Sequence, residues 1–112
     1  MIIIALDVPA SKDIAPILGQ LPDAMKWFKV GLKLFCAEGP AALHERKRRI
    51  FLDLKLHDIP RTVERAVKSA AKHNVQLLTL HACGGHAMLD AAAKAAKDIA
   101  DRIAHAFSLS PF

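Results

Sequence analysis

The chain has 112 residues, with 16 Lys+Arg against 11 Asp+Glu and a formal net charge of +5. That length suits one compact domain with enough apolar residues for a core, and no apolar run approaches the roughly 18–20 residues needed to cross a bilayer. The basic balance suits an anionic partner, but its densest cluster, Arg46-Lys47-Arg48-Arg49, has no interleaved aromatics and reads as the solvated end of a helix rather than a nucleic-acid surface.

In chain order, the first apolar run is Ile2–Leu6. MIIIALDV lacks the basic flank and small-residue cleavage site of a secretion signal. Ile14, Ile17, Leu18 and Leu21 then follow helical spacing, with Ser11 as the expected N-cap and a kink expected at Pro16. A second apolar run covers Phe28–Leu34, and Pro40 to Arg48 is a weaker helical stretch with no glycine closing it before the next strand. The third run is Ile50–Leu56; Pro60 then suits the first turn of a helix whose face is Val63, Ala66, Val67 and Ala70. The fourth run, Val75–Leu80, is followed by a helical face of Leu89, Ala92, Ala93, Ala96 and Ile99.

Runs beginning at 2, 28, 50 and 75 and alternating with helices imply βαβ units and a parallel sheet. The first and fourth runs read as strands buried on both faces. A doubly wound sheet and a (β/α)₈ barrel both fit this local pattern. The strand ends favour the barrel, whose site collects residues from the C-terminal ends of successive strands. Asp7 follows the first run, Lys33 lies near the end of the second, Asp53 and Lys55 occupy the third, and His81 follows the fourth.

Asp53 and Lys55 are two apart, so on a strand they share a face. Two charges on an apolar strand are costly unless paired or functional. Asp58 follows in the loop before Ile59-Pro60, giving D-x-K-x-x-D at a strand's C-terminal end. A solvated ion-pair reading needs helical periodicity, and LDLKL has strand periodicity instead. His81, Cys83 and His86 form H-x-C-x-x-H, but without a further ligand cluster, and with Gly84-Gly85 easing a turn, no metal site is expected. His81 is expected to line the site, Cys83 to be a small buried thiol and His57 to be structural. Cys36 and Cys83, the two cysteines, read as reduced thiols of a cytoplasmic protein.

The segment FLDLKLHDIPRT, Phe51 to Thr62, resembles the signature of the orotidine 5′-phosphate decarboxylase family. IIIALD, FKVGLKLF and LLTLHACGG support it in the same order, and the resemblance runs from about Ile2 to Ile99. It implies a TIM barrel and a cofactor-free lyase that converts orotidine 5′-monophosphate (OMP) to UMP and carbon dioxide in pyrimidine biosynthesis. It implies Lys55 as the proton donor to C6, and Lys33, Asp53, Lys55 and Asp58 as an alternating charge network. Asp7 and Lys33 are implied as ribose contacts. The family forms homodimers with a shared site, and Asp58, Ile59 and Thr62 match the positions that a partner chain supplies. Related phosphosugar decarboxylases of the 3-keto-gulonate 6-phosphate type share the D-x-K-x-x-D core; the flanking FL, LH and IP favour the orotidine enzyme.

Four units make about half a barrel, so residues 1–112 are expected to form a single partial barrel domain, apparently truncated, with 100–112 an atypical tail. In that tail, ADRIAHAFSLSPF, only SLS is similar to the family's fifth strand. Little activity is expected from these residues alone, because the late loops that grip phosphate are not among them. A half barrel acting as a non-catalytic interaction module is the alternative of a different class.

Overall fold

The apolar runs form parallel strands separated by helices, in the computed structural model that describes residues 2–44 and 47–99 together with the backbone of 104–108. The strands are β1 (Ile3–Ala5), β2 (Trp27–Gly31), β3 (Arg49–Leu56), β4 (Leu77–His81) and β5 (Ala104–Ser108). The helices are α1 (Ile14–Gly19), α2 (Leu32–Glu38), α3 (Pro60–Lys72) and α4 (His86–Asp98). Every strand pairing is parallel and the spatial order is β1-β2-β3-β4-β5. A doubly wound sheet reverses direction partway across. Here every crossover steps the same way, which is the progression of a (β/α) barrel wall and decides between the two architectures left open by the sequence.

Alternation along the strands puts Phe28 and Val30 of β2, Ile50 and Leu52 of β3, and Leu78 and Leu80 of β4 in the buried core. Val63, Val67 and Ala70 of α3 and Met88, Ala92 and Ala96 of α4 belong to the same cluster. β4 is buried at three consecutive positions, as expected of a strand covered on both faces. β1 is not: as the edge strand it is only half-buried to exposed.

Several expected boundaries move, each for a local reason. The second apolar run is not one strand. Gly31 is the N-cap of α2, so the chain turns helical at Leu32 and Lys33 lies in the first turn of that helix. Gly39, with φ +62°, closes α2 in a conformation that favours glycine. The stretch expected to be helical from Pro40 is instead a 3₁₀ segment, Gly39–Leu43. Ser11 does not cap α1 through its side chain; it opens a 3₁₀ turn, and its N–H donates to Glu38 Oε1 at 3.0 Å. Because α1 proper begins only at Ile14, Pro16 falls in its first turn, where no N–H partner is lost and no kink is required. After α3, Asn74 takes φ +59°, a left-handed conformation that asparagine tolerates. Part of the tail, 104–108, pairs with β4 as β5, whereas the rest of 100–112 lies outside the described residues.

Candidate active site

The register of β3 against β4 slips at the charged motif. Leu52 pairs with Leu78 and Leu56 with Leu80, so Asp53, Leu54 and Lys55 stand opposite Thr79 alone. This is a bulge, the device by which a strand re-aims side chains beside an active site. Lys55 lies inside it with φ +50°, a left-handed conformation that costs a non-glycine residue roughly 1–3 kcal/mol and persists only where neighbours hold it. Its N–H donates to Thr79 Oγ1 at 2.9 Å.

The bulge brings the two motif charges into contact. Lys55 Nζ donates to both oxygens of Asp53, at 2.9 and 3.0 Å. Thr79 Oγ1 donates to Asp53 Oδ1 at 2.8 Å. Lys29 Nζ, from β2, approaches Asp53 Oδ2 at 3.5 Å. One carboxylate thus receives two ammonium groups and a hydroxyl. The Asp53 side chain is 13% exposed against 45% for Lys55, so the carboxylate is the sheltered member and the lysine faces the opening.

Partial burial opposes ionisation of Asp53, but it is outweighed by hydrogen bonds from Lys55 and Thr79 and by the charges of Lys55 and Lys29, which hold its carboxyl below the ordinary value. At neutral pH the site therefore holds a carboxylate between two cations. Such an arrangement can keep an ammonium charged beside a developing anion and then supply its proton.

A cleft of about 480 Å³ opens on this cluster, and its lining includes Asp7, Lys29, Lys33, Asp53 and Lys55. Asp7 reaches it because pairing with β2 extends beyond β1: Leu6 N–H donates to Lys29 O at 3.0 Å. Lys33 reaches it from α2 but forms no ion pair with Asp53 among the described residues. The place expected for Lys33 in the charge network is occupied by Lys29. The sequence signal was available: Lys29 alternates with the core residues Phe28 and Val30, and Gly31 marks the end of the strand. Thr79 was also missed. It is the buried polar residue of the described chain, and it sits inside an apolar strand where a threonine reads as a β-former.

Asp58, Ile59, Thr62 and His81 do not line this cleft. Asp58 Oδ1 accepts the N–H of Ile59 at 2.7 Å, and Ile59, the N-cap of α3, is 65% exposed. Thr62 is exposed in the first turn of α3. His81, the last residue of β4, stacks on His57 with ring centroids 4.9 Å apart. Its Nδ1 accepts the N–H of Cys83, which leaves the proton of the neutral ring on Nε2. Cys83 is exposed, not buried as expected: it lies in the 3₁₀ turn Ala82–Gly84 beyond the end of the strand.

The model of the orotidine 5′-phosphate decarboxylase / HUMPS family matches residues 1–105. The chain belongs to that family. It is 48% identical over 97 residues to orotidine 5′-phosphate decarboxylase from Opitutus terrae, a match covering 84% of this chain and 42% of that protein. The relative from Gloeothece citriformis is 50% identical over 97 residues, covering 84% and 41%. The chain therefore spans about two fifths of the length of the curated family members it matches. Among solved structures, orotidine 5′-phosphate decarboxylase from Lactobacillus acidophilus superposes with a TM-score of 0.78 at 36% identity, covering 86% of this chain and 45% of that one. Orotidine 5′-monophosphate decarboxylase from Methanocaldococcus jannaschii, complexed with the inhibitor BMP, gives 0.81 at 25% identity, covering 93% and 50%.

Proposed function

We propose that this chain supplies the catalytic wall of an orotidine 5′-phosphate decarboxylase, converting OMP to UMP and carbon dioxide without a cofactor. The observation that carries the reading is the Asp53 carboxylate gripped by Lys55 through both oxygens, with Lys29 on its other side. Loss of carbon dioxide leaves an electron pair on C6 of the pyrimidine, and the bond broken is the one between C6 and the carboxylate carbon. Lys55 stabilises that charge and then transfers its proton to C6. Asp53 holds the Lys55 ammonium in place through both carboxylate oxygens, and because the charges are preset they need little reorganisation during the reaction. Asp7 stands at the cleft as the acceptor for ribose hydroxyls.

The remaining roles follow from what lies outside the cleft. Asp58, Ile59 and Thr62 are assigned to a second copy's site in a homodimer, which the exposure of Ile59 supports. His81 is assigned to the rim. Two unpaired cysteines, Cys36 and Cys83, suit the cytoplasm.

Substrate choice separates this reading from its neighbours. UMP formed from OMP, with no product from 3-keto-gulonate 6-phosphate, supports it; the reverse favours a phosphosugar decarboxylase, and failure to bind a UMP analogue favours an interaction module. The two lysines give a sharper test. In a complete barrel that carries this wall, Lys29→Ala is expected to lower kcat/KM about 10²–10³-fold through loss of a preset charge. Lys33→Ala, which removes an exposed cation that forms no ion pair among the described residues, is expected to change it by less than about tenfold. Steady-state kinetics of both variants checks this, and equal losses would return Lys33 to the network.

A further inference from the structure

We propose that Thr79 is the positioning residue of this site, its single hydroxyl holding both the bulged backbone at Lys55 and the Asp53 carboxylate. The proposal rests on the reading of Asp53 and Lys55 given above. A threonine hydroxyl has one proton to donate and lone pairs to accept with. Here the donor goes to Asp53 Oδ1 at 2.8 Å and an acceptor site takes the Lys55 N–H at 2.9 Å. Thr79 is 6% exposed and sits on β4, where it alone faces three residues of β3. Within the bulge the Lys55 N–H bonds to this side chain. The left-handed backbone of Lys55 and the direction of its ammonium are therefore tied to a neighbouring strand through one oxygen atom.

Thr79 does not line the cleft, so its effect passes through Lys55 and Asp53. A displacement of about 1 Å at a reacting group is enough to cost roughly 10²-fold in rate. Thr79→Val keeps the shape and removes the hydroxyl; Thr79→Ser keeps the hydroxyl and removes the methyl.

Two measurements on the full chain need no substrate: hydrogen exchange at the Lys55 amide, and titration of the Asp53 carboxyl carbon by ¹³C NMR. The ionisable groups around that carboxyl are Lys29 on β2, Lys55 on β3, Asp7 beyond β1 and Lys33 on α2, and all are retained in both variants. In the parent the Lys55 amide is expected to exchange slowly. In Thr79→Val it is expected to exchange faster and Asp53 to titrate at higher pH, with Thr79→Ser returning both to parent behaviour. In a complete barrel that carries this wall, with OMP as substrate, Thr79→Val is expected to lower kcat by about 10–100-fold with KM changed less than about threefold, again restored by serine. Parent-like exchange and titration in Thr79→Val, or a folded Thr79→Ser that matches valine, would overturn the proposal. Should Thr79→Val not fold, fast exchange of the Lys55 amide in the parent would overturn it alone. Failure of the parent to bind UMP counts against the decarboxylase reading, and the two NMR measurements still decide the role of Thr79.

Discussion

In a complete barrel that carries this wall, replacing Lys55 by alanine is expected to lower kcat for OMP decarboxylation by at least about 10³-fold while leaving the fold in place. Two losses combine. A positioned proton donor is worth about 10²–10⁴-fold, and a preset charge facing a developing anion about 10²–10³-fold. The fold should tolerate the change because the Lys55 side chain is 45% exposed and its hydrogen bonds among the described residues are the two to Asp53. Asp53 keeps Lys29 and Thr79 as partners in the variant. The Lys55 backbone N–H also keeps Thr79. Kinetics alongside far-UV circular dichroism checks the prediction. Near-parent turnover in the variant would remove Lys55 from the mechanism, and a collapsed spectrum would show that its role in the bulge is structural.

The second large effect concerns the wall that carries the site. Phe28 is completely buried in β2, paired in register with Ile4 of β1 and Ile50 of β3. Phe28→Ala is expected to destabilise the fold by about 3–5 kcal/mol, from lost apolar transfer and the cavity left behind. Domains of this size are stable by only about 5–15 kcal/mol, so the variant should unfold at much lower denaturant or lose its cooperative transition. Urea unfolding followed by circular dichroism measures the difference. A shift worth less than about 1 kcal/mol would mean that β2 is not part of the core. Lys29 lies next to Phe28 on the opposite face, so the same strand serves core and site through simple alternation.

That alternation explains what could be read without coordinates. The third apolar run was expected at Ile50–Leu56 and forms β3, Arg49–Leu56; Pro60 does begin α3. The two charges of the D-x-K pair do come into contact. Two things were not legible. One is a boundary: Leu32, Leu34 and Phe35 extend the apolar run of β2, and only Gly31 signals that the chain has turned helical, so Lys33 was placed at a strand end and Lys29 overlooked. The other is register. A period of two places Asp53 and Lys55 on one face of a regular strand, yet the structure reaches that contact through a bulge and a left-handed Lys55. A bulge depends on what the neighbouring strand offers, here the Thr79 hydroxyl some two dozen residues later in the chain, and no local pattern in 50–56 reports it. Strand order likewise decided the barrel, because every βαβ unit looks alike in sequence whichever way the next crossover steps.

The proposed function places pyrimidine nucleotide binding and reaction at the cluster built by Asp53, Lys55 and Lys29. The most direct measurement is a ¹⁵N NMR titration of the purified chain with UMP, repeated on Lys55→Ala. The predicted result is a set of saturable shifts concentrated at Asp7, Lys29, Asp53, Lys55 and Thr79, weakened in the variant. Shifts elsewhere in the chain, or shifts at these residues that the variant leaves unchanged, would contradict it.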